Sequence, residues 1–135
     1  MALQLSTSAR NALLDAIETA TGTSAILRIR TGAPPATPAT ADSGTVLATA
    51  TLPSDWMAAA SGGTKALSGT WQDASADAAG TAGHFRIYDS GGTVCHLQGT
   101  VTATGGGGDM TVDNTSIASG QTVTVTSKTY TDANA

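Results

Sequence analysis

The chain has 135 residues, a net charge of −4, two histidines and one cysteine. That length makes one domain, 1–135, long enough to bury a core without metal, and a lone cysteine excludes an internal disulfide framework. The six cations are scattered, which excludes the clustered positive surface that nucleic acid requires, and no stretch reaches the ~18 apolar residues of a membrane-spanning helix.

Charged residues make up 12% and aromatics 4% of the chain, with a single Phe. A soluble domain ordinarily carries ~25% charge. The core is therefore expected to use small and mid-sized groups, and the surface to be rich in alanine and hydroxyls. Such a surface is easily desolvated against another protein.

Residues 6–21, "STSARNALLDAIETAT", have helical spacing, with Ser6 or Ser8 as N-cap and Gly22 as terminator. Ala9, Leu13, Ala16, Ile17 and Ala20 form the expected buried stripe, with Arg10, Asp15 and Glu18 pointing elsewhere. The period then changes to two. In "AILRIR", Ala25, Leu27 and Ile29 share one face of a strand, and Arg28 and Arg30 the other. Residues 31–44 form a proline-rich arm. Pro34, Pro35 and Pro38 deny it ladder donors, so it is expected to run over the surface. These three prolines, with Arg28 and Arg30, are the candidate interface residues. Deleting 33–41 is expected to leave the rest folded.

Residues 45–132 form the main β region. Strands are expected in "TVLATATL", "KALSGTWQD", "HFRIYD", "TVCHLQGTVTA", "DMTVD" and "QTVTVTSKTYTD", with a helical turn at "SDWMAAA". The class is mainly β: a jelly-roll-like or other antiparallel β-sandwich of about seven or eight strands with one N-terminal α-helix.

"HFRIYDSGGTVCHLQ" holds both histidines and the cysteine. A three-residue loop, Ser90–Gly92, would pair Ile87 with Cys95, Phe85 with Leu97, Arg86 with His96 and His84 with Gln98. Cys95 then faces the core and is unreactive, while His84 and His96 lie on the solvent face. Adjacent strand residues point apart, so Cys95 and His96 make no nucleophile–base pair. The histidines lack the third protein ligand of a catalytic zinc site. Gly105–Gly108 is followed by Asp109 and a strand, without the G-K-[ST] and helix of a phosphate loop. Asp73 and Asp77 sit four apart in a loop, and Asp109 and Asp113 four apart on one face of a strand, and neither pair stands out as an acid–base pair. Trp56 and Trp71 are expected core fillers; exposure in a groove would instead point to sugar binding. No catalytic, cofactor-binding or metal-ligating residue is expected, and no cofactor.

The order of a capped N-terminal helix, "LRIRTGAPP", "DSGTVLAT", "LPSDWM", "SGTWQD", "AGTAGHFRIYD", "GGTVCHLQGTVT" and a threonine-rich end resembles the small virion proteins of tailed bacteriophages. It is similar in size and style to capsid cement, or decoration, proteins, and the likeness covers nearly the whole chain. The resemblance implies a non-enzymatic structural protein that binds the outside of a capsid lattice. Its expected partners are itself, as a dimer or trimer, and the major capsid protein. Its expected place is the virion surface, after assembly in the bacterial cytoplasm. The alternative is a tail or neck module binding a receptor or glycan.

Overall fold

The computed structural model describes residues 3–132. Within them lie one helix, α1 (Thr7–Thr21), and nine strands: β1 (Ile26–Thr31), β2 (Val46–Thr51), β3 (Thr64–Ala66), β4 (Gln72–Asp73), β5 (Gly80–Tyr88), β6 (Cys95–Ala103), β7 (Met110–Val112), β8 (Ser116–Ile117) and β9 (Val123–Thr131). The fold is mainly β. The strands form one sheet in the order β2-β1-β5-β6-β7-β9-β3, with β4 on β9 and β8 on β5. Pairing is antiparallel except between β6 and β7.

The sheet curls until its far parts meet. Asp73, in the strand bonded to β9, accepts a hydrogen bond from Thr49 N in β2 at 2.9 Å. Nearby, Asp77 N donates to Leu47 O at 2.8 Å. Asp77 also accepts from the Thr49 hydroxyl at 2.7 Å. The carboxylates of Asp73 and Asp77 thus close the sheet. Inside it lie Leu27, Ile29, Leu47, Phe85, Ile87 and Met110, each at most 2% exposed. Trp56 and Trp71 pack against each other in this core, ring centroids 5.8 Å apart. Their indole N–H groups donate to Gly22 O (2.9 Å) and Trp56 O (3.0 Å), so burial strands no donor.

The glycine run reverses the chain. β7 starts beside Val101 and runs parallel to the strand just completed. A Cβ on Gly106 or Gly108 would come within 2.9 Å of Thr102 side-chain atoms, so the return fits only without side chains. "KALSGTWQD" splits into β3 and β4, with Trp71 just before the latter. "SDWMAAA" is not helical; Met57 bridges to Leu67 instead.

Both helix caps fall where the sequence placed them. Ser6 Oγ accepts from Ala9 N at 3.1 Å, and Gly22, at φ 90°, donates to Glu18 O. The buried stripe, however, is a different one. Leu14 and Thr21 are buried, whereas Leu13, Ala16 and Ala20 face outward. The polar side of α1 docks. Lys65, 2% exposed, reaches Asp15 at 2.7 Å and Glu18 at 3.0 Å. Asn11, Asp15 and Glu18 accept the backbone N–H groups of Gly63, Ala60 and Met57. Five polar contacts to one surface outweigh the alanine stripe in orienting the helix.

Candidate functional site

β5 is buried on both faces. Phe85 and Ile87 enter the core; His84, Arg86 and Tyr88 point the other way, at 0, 1 and 2% exposure. The arm lies over them. Asp42, the sole carboxylate of residues 31–44, accepts from Arg86 Nη1 at 2.6 Å, Tyr88 Oη at 2.6 Å and Arg30 Nη2 at 2.8 Å. Arm carbonyls take several of the other donors. Pro38 O accepts from Arg86 Nη2 at 2.6 Å, and Pro35 O from Gln98 Nε2. Ser43 O and Gly44 O accept from Arg30 Nη1, and Gly32 O lies 2.9 Å from His84 Nδ1. Arg28 stacks on the Tyr88 ring, 4.6 Å from its centroid, and donates to Gly92 O in the hairpin tip.

Three guanidinium groups therefore surround one carboxylate. Partial burial opposes the charge of Asp42. The hydrogen bond from Tyr88 and the charges of Arg30, Arg86 and Arg28 outweigh that, and its pKa falls below the ordinary 3.8. Burial and the bond to Asp42 push the Tyr88 hydroxyl up. A cleft of about 230 Å³ remains between arm and hairpin tip, walled by Pro38, Asp42, Arg86, Tyr88, Gly92 and Cys95.

Of the five sequence-predicted interface residues, Arg28, Arg30, Pro35 and Pro38 take part in this intramolecular clamp, and Pro34 adjoins Pro35 in the arm. Arg30 is 7% exposed and bonded to the arm; Pro34, Pro35 and Arg28 are half-buried; Pro38 is exposed. Residues 33–41 supply two contacts of the clamp, Pro38 O on Arg86 and Pro35 O on Gln98, while Asp42 lies just beyond them. The clamp's centre, Asp42 with Arg86 and Tyr88, was missed by the sequence reading. Its signal was a single acid in an otherwise uncharged arm beside an Arg-bearing strand face.

The hairpin register also differs from expectation. Ile87 pairs with Leu97, Arg86 with Gln98, Phe85 with Gly99 and His84 with Thr100, but Tyr88 pairs with Cys95. His96 is the extra residue of a bulge, and one extra residue reverses which face Cys95 joins. The turn is also wider: Asp89 N donates to Val94 O, and the Asp89 carboxylate accepts from Thr93 N and Val94 N. Cys95 is thus half-buried on the polar face rather than in the core. Its Sγ accepts from Arg86 Nε and donates to Leu97 O, both at 3.2 Å. His84 lies fully buried under the arm, not at the surface, because the arm covers that side of β5.

The arrangement neutralises and covers charge. It presents no nucleophile–base pair, since each charged group in it is engaged by the arm, the hairpin tip or Cys95. The chain matches no protein-family model, no curated protein and no solved structure.

Proposed function

We propose that this chain is a structural virion protein of the cement or decoration type, binding and stabilising the outside of a bacteriophage capsid without catalysis. The observation that carries the reading is how the molecule disposes of its charges. Arg30 and Arg86 are covered by the arm, Arg28 is held by the hairpin tip and the Tyr88 ring, and the acids of α1 hold Lys65, while Leu13, Ala16, Ala20 and the outer arm stay exposed. Uncharged outward surface is cheap to desolvate when covered by protein. The jelly-roll-like or sandwich arrangement belongs to the same proposal: β1 and β2 face β4 and β9 across the core, where a space of only about 10 Å³ remains. The glycan-binding alternative has less support, because Trp56 and Trp71 are 0 and 1% exposed and offer no stacking platform.

The test mixes purified protein with capsid shells lacking it and images them by electron microscopy. The expected result is regularly spaced added density on the outer shell, with greater shell resistance to heat. Undecorated shells at saturating protein would overturn the proposal.

A further inference from the structure

Five buried side-chain polar atoms have no hydrogen-bond partner among the described residues, and three of them belong to side chains that the arm covers: Arg30 Nε, His84 Nε2 and Gln98 Oε1. The sheet brings these three side chains together. Arg30 stands opposite His84 across β1 and β5, while His84 stands opposite Thr100 and Arg86 opposite Gln98 across β5 and β6. Gln98 is thus the diagonal neighbour of His84, a spacing that long side chains bridge. We propose that Arg30, His84 and Gln98 together hold a buried water molecule between the arm and β5, a site that goes beyond the cement reading and does not depend on it.

The far end of each side chain is already held by the arm, and that fixes what the free atom offers. Gly32 O, 2.9 Å from His84 Nδ1, can only accept, so the ring proton sits on Nδ1 and Nε2 of the neutral ring presents a lone pair. Gln98 Nε2 donates to Pro35 O, which leaves Oε1 as an acceptor. Arg30 binds Asp42 through Nη2, and Ser43 O and Gly44 O through Nη1; its Nε is a donor by constitution. One donor and two acceptors are the complement of a single water, which accepts once and donates twice. Three bonds are the usual number for an internal water. An anion fits the same atoms poorly, because it would meet two lone pairs and one N–H. A metal cation would meet a guanidinium.

The first residues of the arm close the site. Gly32 O and Pro35 O hold His84 and Gln98 from above, and a Cβ on Gly83 would collide with Gly32 O, so this part of the arm lies directly on the backbone of β5. Exchange of the water with solvent therefore requires the segment to lift. The residence time of the water measures how often the arm opens.

High-resolution crystallography of the wild-type chain tests the site directly. The expected result is one ordered peak ~2.7–3.2 Å from all three atoms. The absence of a peak common to them, with Arg30 Nε turned onto His84 Nε2 instead, would overturn the proposal. Bromide taking the place of the peak in a soaked crystal would also overturn it, by making the occupant an anion. Magnetic relaxation dispersion of the water oxygen gives the solution test. Wild type should hold one more long-lived water than Gln98→Met, which keeps the length of the side chain and removes the acceptor, with native folding of the variant verified by circular dichroism. Equal numbers in the two folded proteins would count against the site, and should Gln98→Met not fold, the wild-type crystal decides alone.

Discussion

Lys128 shows how one residue can work against the fold that holds it. It is 4% exposed, its Nζ sits 3.7 Å from the Tyr130 ring centroid and 5.4 Å from that of Phe85, and among the described residues no carboxylate pairs with it. Burial pulls its pKa from 10.5 down to about 8, with the charge of Asp109 pulling weakly back. A lowered lysine pKa means that the charged form disfavours folding. The penalty is full below pH 8 and vanishes as pH rises past 10.5. Wild-type stability should therefore increase between those values. Lys128→Met should be more stable at pH 7, by no more than about 3 kcal/mol, and should lose that rise. Thermal melts of both proteins across the range check this; a melting curve for Lys128→Met that still rises with pH would assign the effect elsewhere. Cys95→Ser belongs to the same scale. A serine keeps both polar contacts of the half-buried thiol, so a cost of about 1 kcal/mol or less is expected in urea unfolding.

At the scale of elements, the arm and the helix are each held by one charged cluster. Asp42→Ala leaves Arg30 and Arg86 without their carboxylate, and Arg86 is 1% exposed. Breaking a buried pair from one side costs up to 3–5 kcal/mol; the exposed flank of Asp42 brings the expectation to about 2–3. The variant should also be cut by protease within 33–44 sooner than wild type. Because the Asp42 pKa is lowered, its contribution is present above pH 3.8 and is lost as pH falls through the lower folded value. The arm should thus stay protected at pH 5 and loosen only below pH 4 or so. For α1, Lys65 is the anchor. Burial opposes its charge, but the hydrogen bonds that its ammonium donates to Asp15 and Glu18 prevail and raise its pKa. Lys65→Met should speed amide exchange of residues 7–21 at least ~10-fold while β5 keeps its protection, since β5 pairs with β1, β6 and β8 and Lys65 sits on β3, which pairs with β9. Equal acceleration in both would mean that the helix and sheet unfold as one unit.

For the whole molecule, surface area decides whether the small-residue core closes on itself. The chain exposes 6401 Å², and a compact monomer of 13.3 kDa is expected to expose about 6,450 Å². The sheet, helix and arm therefore complete a normal monomer surface. Unfolding at low micromolar concentration should be one cooperative transition whose midpoint is independent of concentration. A midpoint that rises with dilution series toward higher concentration would place part of the folding free energy in an interface.

Local chemistry alone determined several features. The helix ends follow from Ser6 and Gly22, whose capping roles involve only neighbours in the chain. The β class follows from period-two alternation, as in Leu27 and Ile29 against Arg28 and Arg30. Which surfaces these elements bury was decided by partners far along the chain. α1 rotated its alanines outward because Lys65, 50 residues from Asp15, offers an ammonium that the acids must reach. The arm came down on β5 because Asp42 meets Arg86 44 residues later. Cys95 changed face through a one-residue bulge that neither side chain nor spacing announces. Propensity and periodicity act within a few residues; buried charges must find their counterions wherever the folded chain places them, and only the tertiary structure sets those distances.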